Sequence, residues 1–294
     1  MKKSNVFLIS LLVALLVLTF LITGCKKTEI REEKTPELRL VFGIVTDDHT
    51  LIDFADRYAL ESDIFAFRYA LIKENPDLTK AISRSKKMVI ASSIKTFEEN
   101  VDLINNIDAT YLGYNIESGS GEETSALEKA DPVAAVKAMY DFAHENEFKL
   151  MVGTNSQWLE DPNIGVKMAQ YADIFLIQCG AIQIDNPLKV CKKPITESCT
   201  TEENLEYFEN ECRRLVKIIR NANPDIPIFI QIQTGPWPPK PGDRERPWLR
   251  ALTIEEMIAD TNLISNSVDG IIISYTTPDT IDVWKQYIQW IRTE

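Results

Sequence analysis

Eight times between Leu38 and Glu294 a short β-branched or apolar run gives way to a stretch with helical spacing, and this alternation restricts the possible folds more than any other feature. The runs are LRLVFGIV (centred on 39–45), DIFAFRYA (63–70), KMVIASS (87–93), ATYLGYNIE (109–117), FKLMVGTNS (148–156), ADIFLIQCG (172–180), IPIFIQIQTG (226–235) and VDGIIISYT (268–276). Between them DPVAAVKAMYDFAHENE, EYFENECRRLVKIIRNANP and TIEEMIADTNLISNS carry apolar residues at three- and four-residue steps. Asp131-Pro132 and Thr253 stand where helix N-terminal signals belong. Strand and helix alternating in this way predict an α/β fold, a single (β/α)8 (TIM) barrel over 38–294. A doubly wound open sheet is the alternative, but it uses fewer strands and, for nucleotides, a glycine-rich first turn. Here the first strand runs into GIVTDDHT, and no GxxxxGK[ST] occurs, so nucleotide chemistry is disfavoured.

The chain opens with MKK, an apolar run from Val6 to Ile22, and ITGC. Basic residues before such a run mark a secretion signal. The run is long enough to span a bilayer, so an uncleaved anchor helix is the competing reading. Thr23 and Gly24 directly before Cys25 resemble the lipobox of prokaryotic lipoproteins. That resemblance implies a signal peptide over 1–24 and lipidation at Cys25, which leaves the domain extracytoplasmic and membrane-anchored by its lipid. KKTEIREEKTPE, charged and without apolar period, reads as a flexible tether over 25–37.

With 44 acidic against 32 basic residues the chain is anionic and shows no basic patch, which argues against nucleic acid as a partner. Four cysteines besides Cys25 fall in one stretch: Cys179, Cys191, Cys199 and Cys212. In an oxidising compartment this even set favours two disulfides, with three pairings open, acting as staples on one long loop. A metal site lacks support, because there is no C-x2-C knuckle and no nearby histidine.

Two βα loops are long: the sixth runs from Gly180 past Cys199, and the seventh is TGPWPPKPGDRERPWLR. Both belong to the C-terminal face, where barrel active sites are built. The strand ends there are polar: Asp47 and Asp48 on the first, Arg68 on the second, Ser92, then Asn115 and Glu117, Asn155, Gln178, Gln231 with Gln233, and Tyr275 on the eighth. Polar groups gathered at one rim above apolar strand bodies describe a ligand site. FIQIQ puts Gln231 and Gln233 on one face, and Asn115 shares a face with Glu117. Amides, a carboxylate, an arginine and tyrosines suit the hydroxyls of a carbohydrate, and Trp158, Trp237 and Trp248 could stack on sugar rings. With His49 and His144 as the only histidines and no G-x-S-x-G elbow, neither a metal centre nor acyl transfer is supported, and no cofactor is expected.

YLGYNIE at the end of the fourth strand resembles the region where (β/α)8 glycoside hydrolases place their acid/base glutamate. One group of that family has Asn directly before the Glu, whereas chitinase-type enzymes have an acidic residue two positions before it; Asn115-x-Glu117 has the second spacing with an amide in the acid's place. The resemblance implies that Glu117 is the general acid and that Asn115 orients it or the substrate. Strand seven ends in Gln231 and Gln233, where the first group keeps a nucleophilic glutamate. The second carboxylate is then Asp47 or Asp48, unless the sugar's own acetamido group attacks. Arg68, Asn115, Asn155, Gln178, Gln231, Gln233, Tyr275 and Trp237 are expected to position substrate. A non-catalytic lipoprotein that captures a carbohydrate or another small solute is the alternative, and a scaffold for a protein partner a third reading.

Overall fold

The computed structural model describes residues 38–44, 46–116, 124–154, 156–161, 163–235, 250–275 and 277–293. The expected signal peptide (1–24), Cys25, the rest of the expected tether (25–37), Glu117, Asn155, Trp237 and Trp248 lie outside the described residues.

All eight expected strands form, and they close into one parallel barrel in the order β1-β2-β3-β4-β5-β6-β7-β8, with β8 pairing back to β1. They are β1 Arg39–Ile44, β2 Ile64–Arg68, β3 Lys86–Ala91, β4 Tyr111–Ile116, β5 Lys149–Thr154, β6 Ile174–Ile177, β7 Ile228–Gln233 and β8 Gly270–Ser274. Helices separate successive strands, so the chain is a (β/α)8 barrel.

Residue alternation sorts the strand side chains into two apolar layers. Val41, Ile64, Ala66, Met88, Tyr111, Met151, Ile174, Phe229 and Ile272 cluster together, with Ile90 and Leu176 against them, and fill the lumen. Their neighbours of opposite parity, such as Phe42, Phe67, Leu112, Val152, Phe175, Ile230 and Ile273, join a larger layer under the helices with Phe208, Leu215, Trp284 and Ile288. Burial on both faces is why the strands read as continuous apolar runs.

The helix starts follow the sequence signals. Asp131 caps Pro132–Glu145 by accepting from the Ala134 amide at 3.0 Å, and Thr253 caps Ile254–Ile264 in a reciprocal box with Glu256. At the base of the barrel one device recurs. An aspartate just before an even-numbered strand accepts a backbone N–H from the preceding strand and meets a helix side chain. Asp63 takes the Leu40 amide (2.8 Å) and pairs with Arg292; Asp173 takes the Leu150 amide (2.7 Å) and meets His144 Nε2; Asp269 takes the Ile228 amide (2.8 Å) and pairs with Arg220.

The sixth loop is built of short ordered elements: the single turns Gly180–Gln183 and Pro187–Val190, then the 22-residue helix Thr201–Ala222, capped by a Thr200–Glu203 box. Cys191 and Cys199 form a disulfide that closes a separation of eight residues within this loop. The expected second bridge is not formed here; Cys179 and Cys212 are buried thiols with their sulfurs 3.4 Å apart. Among the described residues no helix is long and apolar enough to cross a membrane.

Candidate functional site

At the C-terminal ends of the strands the lumen parity changes from apolar to polar. It delivers Arg68 from β2, Ser92 just past β3, Asn115 from β4, Gln178 just past β6, Gln231 and Gln233 from β7 and Ser274 from β8. Arg68 is exposed, while Ser92, Asn115, Gln178 and Gln231 are half-buried, as suits groups lining an open mouth. Among the described residues these lumen-facing strand ends carry amides, hydroxyls and a guanidinium, and no carboxylate.

Gln178 Nε2 donates to Asn115 Oδ1, joining β4 to β6 across the intervening strand. Gly153 on β5 leaves the space beside that bond open. It lies in register with Asn115 on one side and Leu176 on the other, and a Cβ there would stand 3.5 Å from both Asn115 Oδ1 and Gln178 Nε2. A longer side chain at this position would enter the space the two amides share.

The two glutamines of β7 have different surroundings. Gln231 is half-buried, whereas Gln233 is only 4% exposed, with its side-chain amide set against the bare α-carbon of Gly180. A Cβ on Gly180 would fall 2.4 Å from that amide, so this contact requires glycine. The Gln233 backbone N–H donates to Gln183 Oε1 at 3.0 Å, and Gln183 Nε2 donates to the buried Asp260 carboxylate at 2.8 Å. Burial pushes Asp260 up to about 7; the Gln183 hydrogen bond works against this and the Glu256 charge adds to it. Gln233 therefore forms the wall of the mouth, held from behind by an acid that titrates near neutrality.

Asp47 and Asp48 are exposed beyond β1. Asp48 caps the helix His49–Tyr58: its Oδ1 accepts from the Thr50 amide at 2.9 Å and the Thr50 hydroxyl at 2.7 Å, and these bonds lower its pKa. One of its oxygens is thus committed to the helix end. Tyr275 lies one residue past β8 with the parity of Ile271 and Ile273; it is buried in the helix-facing layer, edge-on to Trp284. The lumen-facing end of β8 is Ser274, whose Oγ is buried and has no hydrogen-bond partner among the described residues. Counting alternate residues from Gly270 and Ile272 would have selected it.

Glu128 is a second buried acid that sequence reasoning passed over. It accepts from Ile94 N, Tyr114 Oη and Ser125 N; burial raises its pKa, but these bonds outweigh that and leave the pKa lowered. It ties the segments after β3 and β4 together through these three acceptor bonds. Cys191, Cys199 and Glu203 have the proximity of a metal site, yet both sulfurs are consumed in the disulfide and Glu203 is paired with Lys193. A separate surface cavity of about 420 Å³ lies beside the start of Pro132–Glu145, lined by Asp131, Lys137, Lys167 and Tyr171 among others.

No protein-family model matches the chain, and no curated protein matches it in sequence. Active domain 2 of the thermostable chitinase from Pyrococcus furiosus is similar in structure, with a TM-score of 0.51 and 12% identity over 87% of this chain and 95% of that one. The spore cortex-lytic enzyme SleL of Bacillus cereus gives 0.51 at 7% identity, covering 86% and 74%. Hydroxymethylglutaryl-CoA lyase from Pseudomonas aeruginosa gives 0.50 at 9% identity, covering 82% and 76%. A chitinase, a cortex-lytic enzyme and a lyase share this barrel, so the likeness establishes the fold, and chemistry has to be argued from the site.

Proposed function

We propose that the chain is a lipid-anchored, extracytoplasmic protein of glycoside hydrolase type that acts on a glycan at the mouth of its barrel. The observation that carries this reading is the orientation of Asn115, on the lumen face of β4, bonded to Gln178 and two residues before Glu117. In the mechanism Glu117 protonates the leaving oxygen, and Asp47 or Asp48 supplies the second carboxylate at roughly 5–9.5 Å. Asp48, with its pKa lowered, is ionised across the neutral range and suits the base or nucleophile rather than the acid. Asn115, Gln178 and Gln231 offer neutral donors and acceptors of the kind that grip sugar hydroxyls, and Arg68 adds a charged donor. Cys25 carries the lipid.

A non-catalytic glycan-binding lipoprotein is the second reading. It is favoured by the end of β7, where Gln231 and Gln233 offer amides that cannot act as a carboxylate nucleophile. A panel of natural and chromogenic glycans separates the two: each glycan is scored for product release and for protection of the fold against heating. Turnover on at least one glycan supports the hydrolase; protection without turnover supports the binder; neither on any glycan contradicts both.

A further inference from the structure

We propose that Cys179 and Cys212, unbonded thiols in this structure, close into a second disulfide, nested around Cys191–Cys199, when the chain folds in an oxidising compartment, and so lock the end of β6 onto the helix Thr201–Ala222. Their sulfurs lie 3.4 Å apart across 33 residues of sequence, and both residues are wholly buried. A disulfide bond is about 2.05 Å long, so the two sulfurs have roughly 1.4 Å left to close. The Cys191–Cys199 bond already occupies the other two cysteines of the domain, which leaves the outer pair to each other.

The position of Cys179 gives the bond its consequence. Cys179 directly follows Gln178, and its carbonyl accepts from Ile182 N (2.7 Å) and Gln183 N (3.0 Å), the turn that carries Gln183 to Gln233. Tying Cys179 to the long helix would therefore hold Gln178 and the β7 wall in place, which goes beyond the functional reading and does not depend on it. In closing, the two thiols give up two protons and two electrons to a disulfide donor, which is reduced to two thiols as the Cys179–Cys212 bond forms. Burial, Cys179 and the Asp260 charge push the Cys212 thiol up, so little reactive thiolate exists once the helix has packed. The bond is accordingly one made while the chain folds in an oxidising compartment, and structural once made.

The test uses the full chain, produced by export into an oxidising compartment and denatured in excess iodoacetamide so that every free thiol is capped before digestion and mass mapping. The expected result is two linked species, Cys179 with Cys212 and Cys191 with Cys199, with neither Cys179 nor Cys212 capped. In the Cys179→Ser variant, Cys212 should become capped while the Cys191–Cys199 link persists. Capping of both Cys179 and Cys212 in the unaltered chain, or crossed pairing with Cys191 or Cys199, would overturn the proposal. Labelling of Cys212 that is the same in both chains would overturn it too.

Discussion

Asn115 and Gln178, from strands that are not neighbours, are hydrogen-bonded across the glycine of the strand between them. Gly153 therefore keeps the space beside the two amides clear. A leucine there would extend past a Cβ that already stands 3.5 Å from both amides and enter the space beside them. Gly153→Leu should lower apparent glycan affinity at least about tenfold, the scale of losing one or two ligand hydrogen bonds. Isothermal titration with the best glycan of the panel, beside circular dichroism to confirm the fold, would measure it. Unchanged affinity would remove the Asn115–Gln178 pair from the site.

Gly180 and Gln233 make a second such contact. Alanine at 180 would collide with the Gln233 amide, and because that amide is buried it must be driven from its niche. Gly180→Ala should cost about 1–3 kcal/mol in urea unfolding. In the double variant with Gln233→Ala most of that cost should disappear, since the colliding atoms are gone. Additive losses in the double variant would place the strain elsewhere.

The buried Asp260 makes stability depend on pH in a stated direction. Its folded pKa of about 7 is above the ordinary 3.8, so between those values the folded chain keeps a proton that the unfolded chain releases. Stability from this group is complete below about pH 4 and falls as pH rises through about 7. Asp260→Asn mimics the protonated acid and can still accept from Gln183. The variant should match the parent near pH 3 and exceed it at pH 8 by an amount on the order of a few kcal/mol. Urea unfolding of both chains at the two pH values decides; a difference that does not change with pH would contradict the assignment.

At the other end of the barrel, Arg292 of the last helix pairs with Asp63, which is wholly buried and also accepts from Leu40 N and Leu60 N. Removing the cation leaves a buried charge with only backbone donors. Arg292→Ala should destabilise the domain by roughly 3–5 kcal/mol, with a fall in Tm on the order of 10 °C. Differential scanning calorimetry would show it, and a fall of a degree or less would mean the pair is screened by water.

The barrel was legible because eight strands buried on both faces leave eight apolar runs in the sequence, and the N-cap residues Asp131 and Thr253 mark where two of the helices begin. The mouth was legible only in part. Period two correctly joined Asn115 to the lumen parity of Tyr111, but choosing Tyr275 over Ser274 was an error of one residue, and one residue reverses the face. Asp48 reads equally well as an acid at the rim or as a helix cap; only its distance to Thr50 distinguishes the uses. The Gln183–Asp260 bond joins residues 77 positions apart, and no local pattern announces it. The aspartates before β2, β6 and β8 do form a pattern, yet their purpose emerges only when strands and helices are brought together.

If Glu117 protonates the leaving oxygen, kcat measured for the full chain and its Glu117→Gln variant, on the glycan that the panel identifies, will show it. The variant should bind the glycan with similar affinity while kcat falls by roughly 10²–10⁴, with restored turnover on a substrate whose leaving group needs no proton. Hydrolysis of the natural glycan by the variant at the parent's rate would rule Glu117 out as the acid.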